Sequence, residues 1–155
     1  MTTPGRPGTG VAAGGYRRPV ADTRIQVPPN CELTLGMTCV DKSEPGRTVW
    51  RMRADERFAN PAGIVQGGFL GAMADSAMGA AAITFAAGAG RKVFASNVEM
   101  KTSFLASARI GTVLECTASI VSGGSRVAFA EAEVVDDGGR VVARASSTYL
   151  FTERG

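Results

Sequence analysis

The sequence predicts an α+β fold in which a curved antiparallel β-sheet wraps around one long central α-helix. Three observations carry this. The stretch Gly68 to Ala87 is dense in Ala, Met, Leu and Phe and contains no proline, which favours a helix. Runs rich in β-formers flank it, one hairpin before and four strands after, with Gly- and Asp-rich turns between most of them. No second helical stretch is present to pack on the first, so the sheet itself must curl over it.

Taken in order, residues 1 to 30 (GRPGTG, GGYRRP, VPPN) show no sustained periodicity and are expected to form a flexible tail, free or ordered against a neighbouring subunit. Arg17 and Arg18 beside Tyr16 and Pro19 would suit a phosphate or RNA contact; a solvated tail is the simpler reading. The folded domain is expected over 31–155. From Glu32, the apolar residues Leu33, Leu35, Met37 and Cys39 alternate with Thr34, Gly36, Thr38 and Val40, a period of two that predicts a strand. Ser43-Glu44-Pro45-Gly46 is turn chemistry, and Thr48 to Met52 returns as the second strand of a hairpin.

Asn60-Pro61-Ala62-Gly63 reads as a loop leading into the helix. Beyond the helix, Val93–Leu105, Gly111–Val121, Arg126–Val135 and Arg140–Phe151 read as four strands in an antiparallel meander. Ser122-Gly123-Gly124-Ser125 and Asp136-Asp137-Gly138-Gly139 are hairpin signals, since these residues tolerate positive φ.

Bulk properties narrow the function. A chain of 155 residues with 45% apolar content is one ordinary globular domain. The net charge of +3 comes from basic residues scattered among acidic ones, which is weak support for nucleic-acid binding; no nucleic-acid partner is expected. The central helix has the length of a membrane span, yet its many small residues, its Asp and its place between strands argue for packing inside a soluble domain, with no membrane partner. Cys31, Cys39 and Cys116 are far apart and form no CxxC pair. With no histidine in the chain, no zinc site and no other metal is expected. No signal peptide is recognisable, and a reducing cytoplasm is the expected compartment. The absence of histidine also excludes Ser-His-Asp and Cys-His nucleophile systems.

Asp75 is the only ionisable side chain between Arg57 and Arg91. It falls about two turns into the helix, too deep for a cap or a dipole partner. It is either a functional carboxylate or one that lies on an exposed face or satisfies a backbone group of a neighbouring strand. Upstream, Gln66-Gly67-Gly68 marks the helix start, where free N–H groups can stabilise an oxyanion and glycine allows close approach of a ligand. Asn60, these donors and Asp75 together supply an amide, N–H groups and one acid–base group.

These residues resemble the hotdog-fold acyl-CoA thioesterases of the phenylacetic-acid-degradation (PaaI-like) branch. The family pattern is an Asn, a His-Gly-Gly at the helix start, and an Asp or Glu within the helix. It is matched here by Asn60, Gln66-Gly67-Gly68, Leu70, Asp75 and Gly79. Asn97-Val98-Glu99-Met100-Lys101 and Ser103-Phe104-Leu105 resemble the family's long central strand, and Gly111, Ser122–Arg126 and Asp137-Gly138-Gly139 fall at its later markers. The likeness covers roughly Leu33 to Phe151.

The resemblance implies a thioesterase that needs no cofactor and converts acyl-CoA to free acid and thiol. Asp75 would be the general base or the nucleophile, Gly67 N–H the oxyanion donor, and Asn60 and Gln66 would place the water or carbonyl. Gly68, Ser76, Asn97 and Arg126 would contact substrate. It also implies a homodimer or homotetramer in which Asp75 of one subunit faces Asn60, Gln66 and Gly67 of another. Gln66 departs from the family's His; its amide can still donate a hydrogen bond but cannot titrate. Asn97 stands where a small hydroxyl is common, and Ala106-Ser107 replaces the usual Arg-Pro. A non-catalytic module binding acyl-CoA or another apolar ligand, and a structural subunit, are the alternatives.

Overall fold

The computed structural model describes residues 26–154. The expected tail lies outside the described residues up to position 25, the Tyr16–Pro19 segment included. The chain begins with a short helix α1 (Asn30–Leu35), followed by β1 (Met37–Asp41) and β2 (Arg47–Arg53). The long helix α2 (Gly67–Gly88) comes next, then β3 (Val93–Phe104), β4 (Val113–Gly123), β5 (Val127–Val135) and β6 (Val141–Glu153). Among the described residues the strands form a six-stranded sheet in the order β1-β2-β4-β5-β6-β3, every neighbouring pair antiparallel.

Two expectations need correction. The strand predicted from Leu33 begins only at Met37, because the preceding residues form α1. Gly36 separates the two, with φ of 66° and its N–H donating back to the Glu32 and Leu33 carbonyls, a left-handed helix cap. The alternation of Leu33 and Leu35 matched a strand by coincidence: Leu35 is buried while Leu33 is 57% exposed.

The second correction concerns the meander, which holds only for β4, β5 and β6. Strand β3 does not pair with β4; it runs along the outer edge beside β6, from Val93 opposite Glu153 to Phe104 opposite Ala143. Residues 105–112 are therefore a crossing rather than a turn. They are tied to β6 by Leu105 N–H to Val142 O (2.9 Å) and to the loop before α2 by Val65 N–H to Ala108 O (3.0 Å). They reach the end of β2 through Ala54 N–H to Thr112 O (2.8 Å).

The core lies between α2 and the concave face of the sheet. On the helix, Leu70, Met73, Ala74, Ala77, Met78, Ala81 and Ala82 are at most 2% exposed. Opposite them, Ala118, Ala128, Ala130, Ala132 and Ala145 are buried, so small residues on both surfaces let the helix lie close to the strands. The β1–β2 turn locks the far end of the helix. Thr48 Oγ1 donates to Ala77 O (2.9 Å), Gly46 N–H donates to Thr84 Oγ1 (3.0 Å), and a Cβ on Gly88 would come within 2.6 Å of Pro45.

One face of α2 is left uncovered in the single chain. Gly68, Ala72, Asp75 and Ile83 are exposed, next to the edge strand β3, where Val98, Met100 and Phe104 are also exposed. This helix is long and apolar enough to cross a membrane by composition, but half of its most apolar window is packed against the sheet.

Candidate active site

The loop before α2 builds the first half of the site. Asn60 closes that loop on itself: its side-chain Oδ1 accepts from Ala62 N–H (2.9 Å) and Ile64 N–H (3.3 Å), while Gly63, at φ of 74°, donates to Asn60 O (2.9 Å). With Oδ1 so used, the amide Nδ2 of Asn60 keeps its protons for another acceptor. Gln66 is fixed by its backbone, whose N–H donates to Phe58 O (2.8 Å), and Phe58 in turn stacks on Phe69 of the helix at 4.3 Å. Gln66 caps α2 in extended conformation without using its side chain, so its exposed amide is available.

The N–H groups of Gly67 and Gly68 take no acceptor among the described residues. A Cβ on Gly67 would stand 2.8 Å from the Phe104 ring, whereas one on Gly68 would meet nothing within 4 Å. Asn60, Gln66, Gly67 and Gly68 line one cavity of about 560 Å³ together with Phe104 and the crossing segment at Leu105–Ala108. The Arg140 guanidinium donates to Ser107 O (2.7 Å) and is ion-paired with Asp136 at 3.1 Å, which fastens this rim.

Asp75 heads the second half. It lies on the exposed face of α2 rather than in the buried interior that an uncharged helix suggested. Its Oδ1 accepts from Asn97 Nδ2 at 2.6 Å, and the Tyr149 hydroxyl lies 3.1 Å from both Oδ1 and the Asp75 carbonyl oxygen. The Ser147 hydroxyl lies 2.8 Å from Asn97 Oδ1 and 2.8 Å from Glu99 O. Tyr149 is 2% exposed; burial first, then the charge of Asp75, hold its phenol above the ordinary tyrosine range, so it stays a neutral donor. Among the described residues no three His, Cys, Asp or Glu side chains gather as a metal site would require.

The predicted residues therefore divide into two groups. Asn60, Gln66, Gly67 and Gly68 meet at one cavity, and Asp75 meets Asn97. Gly67 and Asp75 are separated by about 12 Å of helix rise. Ser76 is half-buried beside Asp75, with no described side-chain hydrogen bond. Arg126 sits at the β4–β5 turn, next to Phe151 through Phe151 N–H to Arg126 O (2.9 Å), toward the opposite end of the helix from Gly67. Tyr149 and Ser147 were missed. The available signal was faint: on β6 they are polar residues at inward-facing positions shared with Ala143 and Ala145.

Comparison with known proteins adds a family. The thioesterase superfamily pattern matches residues 62–143, more than half of the chain. Human acyl-coenzyme A thioesterase 13 is 23% identical over 120 residues, 77% of this chain and 83% of that protein. The PaaI protein of the Escherichia coli phenylacetic acid degradation operon superposes with a TM-score of 0.74 at 21% identity, covering 83% of this chain and 86% of that one. The smu.793 protein of Streptococcus mutans UA159, solved with acetyl-CoA bound, gives a TM-score of 0.71 at 20% identity, covering 85% and 96%. The chain belongs to the thioesterase superfamily and is a hotdog-fold thioester hydrolase.

Proposed function

We propose that the substrate is an acyl-CoA and that each active site combines Asp75 of one subunit with Asn60, Gln66 and Gly67 of another. The carrying observation is the division of the motif. The N–H donors and the carboxylate stand about 12 Å apart along one helix, too far for one thioester group to touch both. Both face outward where α2 and β3 leave apolar surface uncovered. A second copy with its α2 antiparallel to the first would bring each Asp75 to the partner's helix start and hide Ile83, Val98, Met100 and Phe104.

In such a site the thioester oxygen takes the Gly67 N–H and the Gln66 amide. Asp75 accepts a proton from water as the water oxygen bonds to the acyl carbon. The C–S bond then breaks, and the proton passes to the departing thiolate, giving acid and free thiol. The alternative chemistry, direct attack by Asp75 to form an anhydride that water later opens, ends in the same products. Three free thiols support a reducing, cytoplasmic setting.

The test is a panel of aromatic, medium and long acyl-CoAs, with thiol release followed by a chromogenic thiol reagent. Turnover on at least one member is expected. Tight binding without thiol release would identify a non-catalytic acyl-CoA module, and turnover confined to carrier-protein thioesters would reassign the carrier.

A further inference from the structure

Asp75 is held unevenly. Its Oδ1 receives the Asn97 amide at 2.6 Å from β3 and faces the Tyr149 hydroxyl at 3.1 Å from β6, while Oδ2 takes no hydrogen bond among the described residues. We infer that Tyr149 and Asn97 are positioning residues that pin Oδ1 and make Oδ2 the atom that receives the proton or attacks the acyl carbon. The inference rests on Asp75 being the catalytic carboxylate, as proposed above.

A carboxylate on an exposed helix face can turn freely about its terminal torsion, which is broad and two-fold. Two donors from two different strands remove that freedom. Their own orientation is fixed one layer further in. The Asp75 carboxylate can only accept, so Nδ2 is the end of the Asn97 amide that faces it, and Asn97 Oδ1 lies 2.8 Å from the Ser147 hydroxyl. Tyr149 is anchored by burial of its ring and reaches Asp75 past Gly79, where a Cβ would already be 3.8 Å from the phenol oxygen. The phenol is a donor that cannot readily ionise in this setting, so it does not compete with Asp75 for a proton.

A tyrosine serving only to fasten the helix would be satisfied by the Asp75 carbonyl. Here the hydroxyl, with one proton to give, is equally close to the side-chain oxygen, and the carboxylate is the stronger acceptor of the two. Charge-assisted bonds of this kind are the stronger ones and hold a carboxylate in one orientation. A loss of alignment well under a helix turn is enough to slow a positioned reaction by about 10- to 100-fold.

The experiment has two arms on the full-length protein. The first is denaturant unfolding of wild type, D75A, Y149F and the double variant. Coupling is expected: Y149F destabilises less in the D75A background than in wild type. Additive effects would overturn the inference whatever the enzyme's activity. The second arm is steady-state kinetics at fixed pH for Y149F and N97A on an acyl-CoA that wild type hydrolyses. Both are expected to lose kcat by about 10- to 100-fold with KM within about twofold of wild type, since alignment is lost and binding is not. An inactive D75A beside a Y149F and an N97A of wild-type kcat would overturn positioning and leave the proposed function standing. Absence of turnover on any acyl-CoA by wild type would overturn the proposed substrate and this inference with it. N97A keeps the kinetic arm decisive should Y149F fold poorly.

Discussion

Phe104 lies across Gly67 so closely that a Cβ on Gly67 would stand 2.8 Å from its ring. The last residue of β3 thus rests on the first residue of α2, and this contact shapes the cavity in which the Gly67 N–H is expected to hold the thioester oxygen. Gly67 is not needed for backbone conformation, since its φ is not positive and alanine is a better helix former. Its smallness serves the ring above it. We expect G67A to fold, because the atoms it would meet are the far end of the Phe104 ring, which can turn aside, but to lose turnover as the displaced ring enters the cavity. The double variant G67A/F104A should recover part of the loss. Comparing kcat for the three forms checks this; equal activity of G67A and wild type would separate Phe104 from the reaction centre.

D75N is expected to abolish hydrolysis while leaving the fold intact. The residue is exposed in the single chain, and asparagine can keep the Asn97 and Tyr149 contacts at its carbonyl oxygen, so circular dichroism and melting should change little. Loss of a general base lowers rate by about two to four decades. A variant retaining more than about a tenth of wild-type kcat would remove Asp75 from the catalytic role.

What the sequence disclosed follows the range of the signals. Local ones were readable: the composition of α2, the Pro45-Gly46 turn and the Ser122–Ser125 and Asp136–Gly139 hairpins each involve neighbours in the chain. Asp75 was identifiable because it is alone in an uncharged segment. The edge position of β3 was not readable, because it depends on hydrogen bonds from residues 105–112 to β2, β6 and the α2 loop. For the same reason Tyr149 and Ser147 stayed hidden: only the pairing of Asn97 with Tyr149 across β3 and β6 brings them to Asp75. The helix cap at Gly36 misled in the other direction, since a two-residue period over so short a stretch does not distinguish a strand from one helical turn.

The uncovered α2–β3 face predicts the assembly. Val98, Met100, Phe104, Leu105 and Ile83 are 51%, 38%, 56%, 57% and 42% exposed, an apolar surface beside an unpaired strand edge. Light scattering at micromolar concentration should give a dimer or tetramer. V98K and M100K should shift the population toward monomer and reduce turnover together, because each places a charge where the second copy would pack. A fully active monomer would contradict the shared site.

Stability at high pH should reflect two buried acids. Burial pushes the Cys116 thiol up to about 12, and Tyr149 is held above the ordinary tyrosine range. Both are raised above their unfolded values of about 8.5 and about 10, so the folded state keeps its protons more tightly. Their contribution is fully present below those unfolded values and is lost as pH rises toward the folded ones. Unfolding free energy should therefore hold steady to about pH 8.5 and fall from there toward pH 12. C116A and Y149F should each flatten part of this decline in denaturant titrations run across the range. An unchanged slope in both variants would place the alkaline sensitivity elsewhere.

Gln66 offers the sharpest chemical test, because it stands where a titratable histidine would be expected from the resemblance. Its backbone is anchored through Phe58, its side chain caps nothing, and it shares a cavity with Gly67 and Asn60. The amide can donate to a thioester oxygen but carries no proton to give up. Asn60 and Asn97 do not titrate either, and Tyr149 stays neutral well above neutral pH. None of these side chains therefore adds a neutral-range limb to the rate profile. Q66A should lose transition-state stabilisation of about 2 to 4 kcal/mol, expressed mainly in kcat, since the developing oxyanion needs the donor more than the ground-state carbonyl does. Q66H should accept the same acyl groups but add an ionisation near the imidazole range of about 6.5 that wild type lacks. Profiles of kcat and kcat/KM against pH for the three proteins decide the matter. An unchanged kcat in Q66A, or a Q66H profile that matches wild type, would put this side chain outside the reaction centre and leave the Gly67 and Gly68 N–H groups as the donors there.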